Sequence, residues 1–302
     1  MVGFTVGAGS AGADAPAEDY VILRSVRSMR AAAVPLDPAR LWSMVHVRGD
    51  HMSTHLALRS GNPALTADTF RGTRAAVGED VMTIGGTVNK TALGLLLLFV
   101  AATYTWNLGS SRDASVGMYT MLGVIGGLVA ALVTVFKKTW APITAPIYAA
   151  LEGLALGGIS VAFEAAYPGI VSQAVFLTFG TLGALLLAYR SGLIRATENF
   201  KLGVFAATGG IAFVYLIGFV MSFFGAGIPL IHGSGTFGIL FSLFVVTIAA
   251  FNLVLDFDFI EEGAEHGAPK YMEWYAGFGL LVTLVWLYLE ILRLLAKLQD
   301  RR

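Results

Sequence analysis

The sequence predicts an all-α integral membrane protein with about seven transmembrane helices. Three observations carry this: hydrophobic residues make up 56% of the chain, charged residues only 13%, and long apolar runs recur from residue 87 to residue 302. A water-soluble domain of this length needs far more charge on its surface, so lipid must replace water over much of it. The 36 glycines fit the same class, because small residues let membrane helices approach closely.

The first 86 residues differ from the rest and read as a largely disordered cytosolic tail. Arginines and acidic residues are scattered through them, and no apolar run is long enough to cross a bilayer. Tyr20–Leu23 is too short for the core of a signal peptide. Met52-Ser53-Thr54-His55 reads as a natural start, and the 51 residues before it have a drifting Ala/Gly/Arg/Asp/Val composition. The expectation is that 1–51 lie upstream of the true start, which mass spectrometry of the mature N-terminus tests.

A spanning helix needs ~20 apolar residues. Thr91–Leu108, Val116–Phe136, Pro142–Tyr167, Ile170–Tyr189, Leu202–Phe224 and Thr236–Leu255 meet that length, and Tyr275–Leu298 is the seventh. The seventh run stays uncharged up to Leu289, then carries Glu290, Arg293 and Lys297.

Basic residues alternate between the short loops. Arg71, Arg74 and Lys90 precede the first span, Lys137 and Lys138 follow the second, Arg190, Arg195 and Lys201 follow the fourth, and Lys270 follows the sixth. The opposite side has only Arg112 before the C-terminal tail. The positive-inside rule therefore predicts a cytosolic N-terminus, with the chain expected in the cell (plasma) membrane. Seven spans then put Arg293, Lys297, Arg301 and Arg302 outside, against the rule. Either the tail is an exception, or the last segment re-enters and returns inside.

Composition also excludes functions. The formal charge is zero, which argues against nucleic acid as a partner. With no cysteine, thiolate metal sites and a cysteine nucleophile are ruled out. No HExxH, GxSxG, Walker or GxGxxG pattern sits in a credible context, so neither an enzyme nor a cofactor is expected.

Ionisable groups at hydrocarbon depth cost about 2.5–3.5 kcal/mol on insertion scales, so each needs a partner, water or a purpose. Glu152 lies near the middle of the third span, as either a protonatable, cation-facing group or a protonated carboxyl bonded across helices. Asp256 ends the uncharged sixth run. Asp258 is ~200° away from it on a helix, so the two cannot face one cavity. Glu261, Glu262 and Glu265 complete five carboxylates within residues 256–265, a cluster that concentrates cations; the three glutamates read as a solvated loop. Glu290 and Arg293 have i,i+3 spacing and either neutralise each other or partner a carboxylate of the sixth span. Glu164 reads as interfacial. Glu262 and His266 offer too few ligands for a metal. Gly123/Gly127 and Gly153/Gly157 have the spacing of close helix crossings.

The segment from Asp256 through Ala264-Glu265-His266-Gly267 resembles the end of the sixth helix in the Bax inhibitor-1 family. Ala150–Gly157 resembles that family's third-helix small-residue motif, Gln173–Thr178 the start of its fourth, and Asn62-Pro63 with Lys90 the tail of bacterial members. The resemblance spans roughly residues 60 to 302. It implies a seven-helix fold with the last helix central and a pH-sensitive calcium leak latched by aspartates on helices six and seven. Eukaryotic members are linked to suppression of cell death, and some bacterial ones to modulation of a membrane protease.

Asp256 matches the sixth-helix aspartate, but the position of the second is occupied by Thr283. Glu290 stands seven residues further on, ~10 Å along the helix, and would replace it only with a partner at its own depth, for which Glu152 is the natural choice. The resulting expectation is a divergent bacterial member acting as a cation leak or pH-responsive transporter, with calcium or protons as permeant ions. Asp256 would be the main titratable group, and Glu152, Glu290, Asp258 and Arg293 would line the path. The rival reading is a regulator that binds other membrane proteins, such as a quality-control protease.

Overall fold

A computed structural model describes residues 80–224 and 233–301. The tail before residue 80, with Met52, Asn62, Pro63, Arg71 and Arg74, lies outside the described residues, as do His232 and Arg302. Seven helices long and apolar enough to span a membrane follow one another. They are α1 (Ile84–Ser110), α2 (Val116–Phe136), α3 (Ala141–Ala166), α4 (Ile170–Arg190), α5 (Glu198–Phe223), α6 (Thr236–Glu265) and α7 (Met272–Asp300), with a single 3-10 turn, Lys138–Trp140, leading into α3. The seven expected spans are all present, and the last helix is central. In α7, 67% of the spanning window is buried, against 50% in α6 and 39% or less in each of the others.

Two boundaries depart most from expectation. Helix α1 begins at Ile84, several residues before the apolar run, because the Thr83 hydroxyl accepts the Gly86 N–H at 2.9 Å and caps it. Helix α6 runs on through the acidic segment to Glu265, so Glu261, Glu262 and Glu265 are helical rather than loop residues. Glu261 and Glu265 are exposed and Glu262 is half-buried. Gly263 is a buried part of the helix. The chain leaves α6 at Gly267, whose φ of +64° is the left-handed conformation that suits glycine after a helix end. Helix α7 runs unbroken, so it is a continuous helix and not a re-entrant hairpin.

The arrangement follows from where the small residues sit. Helix α3 packs against both α1 and α2. A Cβ added at Gly153 would collide with the Leu98 carbonyl of α1, and one at Gly157 with the Ala102 carbonyl. At Gly123 it would meet Leu151 O and Ala155 N of α3, each at 2.5 Å. Both small-residue pairs are therefore helix crossings. Helix α7 rests on α6, α1, α4 and α3, while α5 packs mainly on α6. Leu216, Phe219 and Phe223 of α5 and Met121, Leu128 and Leu132 of α2 are exposed, as lipid contact requires.

The backbone ahead of α1 is tied to the turn between α6 and α7. Met82 N–H donates to Ala268 O at 2.7 Å and Lys270 N–H to Asp80 O at 3.0 Å, around an antiparallel bridge between Val81 and Pro269. The Glu164 carboxylate accepts the Gly169 and Val171 N–H groups at 2.6 and 3.1 Å. It caps the start of α4.

Candidate functional site

The sixth-span aspartates occupy opposite sides of α6, as the 200° separation requires. Asp256 is fully buried, at 0% exposure, in a run that includes buried Leu253, Val254, Leu255 and Phe257. It lies nine residues before the end of α6, ~13 Å by helix rise, in the central layer that α6 and α7 form. Asp258 instead turns toward α5, where its Oδ2 lies 2.5 Å from Lys201 Nζ. The Tyr189 hydroxyl of α4 donates to Glu261 Oε2 at 2.5 Å and lies 3.5 Å from Asp258 Oδ1, while Glu198 stands 3.8 Å from Lys201. Of the three glutamates expected in a solvated loop, this edge cluster takes up Glu261.

Glu290 is also buried, at 1% exposure, within a clamp of its own. Arg293 Nη1 donates to its Oε1 at 2.7 Å, the Tyr215 hydroxyl of α5 lies 3.0 and 3.1 Å from its two oxygens, and Trp286 Nε1 donates at 3.3 Å. Arg293 also donates to Tyr215 at 2.9 Å and lies 5.3 Å from its ring centroid. The i,i+3 pair expected from the sequence exists, and its third member comes from α5. Arg293 serves Glu290 and Tyr215, not a carboxylate of the sixth span.

Glu152 stands apart from both. It sits midway along α3 with a carboxyl oxygen 2.8 Å from where a Cβ on Gly127 of α2 would lie. The structure thus places it at the α2–α3 contact and does not bring it to Glu290, so the pairing expected from the sequence is not formed. The reason is angular. Gly153 and Gly157 commit one face of α3 to α1, and Glu152, one residue earlier, turns away from that face toward α2. Thr283, expected from the resemblance to stand in place of a second aspartate, is buried on α7 at 3% exposure.

The most heavily liganded carboxylate is Glu273, which sequence reasoning missed. It is 0% exposed at the first turn of α7. Its Oε1 accepts the Thr83 N–H at 3.0 Å and the Thr83 hydroxyl at 2.9 Å, Lys90 Nζ lies 2.5 Å from Oε2, and Lys270 Nζ lies 3.1 Å from Oε1. The signal available was the i,i+3 spacing of Lys270 and Glu273, which read as loop charge. Lys297 was likewise counted as a tail cation. It is 6% exposed and donates to Gly238 O at 3.1 Å and Ser242 Oγ at 2.8 Å on α6. Two of the cations that contradict the positive-inside count are therefore used within the bundle.

No group of three metal-ligating side chains occurs among the described residues. His266 Nδ1 contacts the backbone oxygen of Glu262 at 2.8 Å rather than its carboxylate. What the arrangement offers chemically is a set of carboxylates at different depths in a bundle closed by its last helix.

The family model described as Bax inhibitor 1 like matches residues 62–300, most of the chain. The protein belongs to the Bax inhibitor-1 family. Among curated proteins and among solved structures, neither comparison gives a match. Membership agrees with the all-α multi-pass architecture. On α7 of this Bax inhibitor-1 member, Thr283 is buried and Glu290 is engaged by Tyr215 and Arg293.

Proposed function

We propose that this Bax inhibitor-1 member is a non-enzymatic, pH-responsive cation leak, with calcium as the first ion to test. The observation that carries the reading is the complete burial of Asp256 at hydrocarbon depth beside the central helix. A carboxylate there is costly to keep charged and is retained for a purpose. Gain or loss of its proton changes the charge between α6 and α7 and so biases the packing that closes the bundle. The acidic end of α6, with exposed Glu261 and Glu265, concentrates cations at one mouth. On this reading Asp258 and Lys201 set the position of α6, and Glu290 with Arg293 forms a second closing contact toward the far side. Glu152 contributes from the α2–α3 contact. The alternation of basic residues supports a cytosolic N-terminus in a plasma membrane.

A second reading is a regulator that binds other membrane proteins, such as a quality-control protease. It is favoured by one observation: Glu152, Asp258 and Glu290 have separate neighbours and do not converge. Transport needs the carboxylates for flux, whereas a regulator needs them only for folding. Asp256→Asn and Glu152→Gln, each expressed at the wild-type level, separate the two. Cation flux in proteoliposomes that the substitutions alter supports the leak, and no flux in any of the three proteins supports the regulator.

A further inference from the structure

One cavity has no carboxylate in its lining. It has a volume of about 180 Å³ and is walled by α1, α3, α4 and α7, with Leu98, Leu156, Val175, Leu281 and Leu284 among its lining residues. Its polar wall is closed on itself, because Ser160 Oγ and the Tyr288 hydroxyl share a hydrogen bond of 2.6 Å. An apolar cavity of ~150 Å³ in a protein stays dry and takes up small hydrocarbons, so this one favours an apolar occupant over water.

The surroundings identify that occupant. Phe99 of α1 and Phe179 of α4 line the cavity, are 40% and 37% exposed, and stack with ring centroids 5.7 Å apart. The cavity therefore meets the lipid-facing surface between α1 and α4. Along α1 it extends from Leu95 to Trp106, which is ~16 Å by helix rise. That matches half of the ~30 Å hydrocarbon core. It lies in the half of the bundle nearest the α3–α4 connection, since Val171 and Val175 near the start of α4 take part. A crevice one leaflet long, apolar within and bordered by a tryptophan near the membrane edge, has the form of one acyl chain.

We infer that this crevice binds a single acyl chain of a phospholipid from that leaflet, against Leu281, Leu284 and Val285 of the central helix. The occupant would thereby become part of the packing around α7. This inference is independent of the leak: it concerns another face of α7 and needs no titration.

Native mass spectrometry of the full chain, extracted from phosphatidylethanolamine/phosphatidylglycerol nanodiscs, tests it. The wild type is expected to retain a single phospholipid per chain through delipidation. Val175→Phe, which fills the crevice, should lose it, and Val124→Phe, on the exposed face of α2, should keep it. Equal retention by all three proteins, no retention by the wild type, or a retained mass matching free fatty acid would overturn the inference. Should Val175→Phe fail to fold, a variant with Trp42, Trp140, Trp274 and Trp286 replaced by Phe leaves Trp106 as reporter. Phospholipid brominated along its acyl chain should then quench Trp106 saturably at a low mole fraction. Quenching that only follows the bulk lipid fraction contradicts a bound chain.

Discussion

Lys201 of α5 holds Asp258 of α6 at 2.5 Å, two residues beyond the buried Asp256. The pair fixes the rotation of α6 so that one aspartate faces a neighbouring helix and the other the interior. Side-chain exposures of 11% and 25% place it between a surface and a buried ion pair. Lys201→Met is therefore expected to destabilise the protein by about 1–3 kcal/mol. Thermal unfolding in detergent reads this, and Asp258→Asn added to Lys201→Met should cost less than the sum of the two single changes. Strict additivity would show that the two side chains act independently.

Glu273 is expected to be the most sensitive carboxylate for stability. Removing its charge leaves Lys90 and Lys270, 23% and 47% exposed, without their shared counter-ion, while the amide oxygen of Gln can still accept from Thr83. Loss of charge-assisted hydrogen bonds to partly exposed lysines costs about 1–3 kcal/mol. Glu273→Gln should lower the melting temperature more than any neutralisation at Asp258, and should speed hydrogen exchange in residues 80–90 first. Gly86→Leu should act the same way, because even a Cβ there would fall on the Glu273 carboxylate. Unchanged exchange in that segment would contradict the anchoring role.

The α1–α3 crossing depends on absent side chains. Gly153→Val places atoms on the Leu98 carbonyl, backbone that cannot move aside, and should abolish or sharply reduce folded protein. Gly183→Ala on α4 meets nothing within 4 Å and removes a helix-weakening glycine, so it should be neutral or stabilise by up to ~1 kcal/mol. Size-exclusion profiles and melting temperatures of the two variants check the contrast. Equal behaviour would argue against the crossing.

Tyr215 ties α5 to α7 through Glu290 and Arg293. Tyr215→Phe keeps the ring over the guanidinium and removes only the hydroxyl, at an expected cost of about 1–3 kcal/mol. On the leak reading it should also raise basal flux, because a closing contact loses a member. Glu290→Gln should have the same sign. A stability loss with unaltered flux would leave the cluster a purely structural tie.

The sequence made the seven spans legible because bilayer thickness imposes a length on apolar runs, and that length survives without any tertiary information. It also made legible the two glycine crossings and the i,i+3 pair of Glu290 and Arg293, all of which are local patterns. Partners far apart in the chain were not legible. Thr83 and Glu273 are separated by 190 residues, and Tyr215 and Glu290 by 75. The expected Glu152–Glu290 pairing failed because depth can be counted from sequence, whereas the face a helix presents depends on which neighbours claim its other faces. Helix α6 outran its apolar segment because a helix need not end where the hydrocarbon does, and its acidic turns find Lys201 and Tyr189 at the edge.

The most direct measurement is calcium flux into proteoliposomes from mildly acidic to mildly alkaline pH, comparing wild type with Asp256→Asn. The account predicts a pH-dependent flux in the wild type and a flux in the variant that no longer responds to pH. Folded wild-type protein that passes no calcium at any pH, or an Asp256→Asn variant with an unaltered pH response, would contradict it.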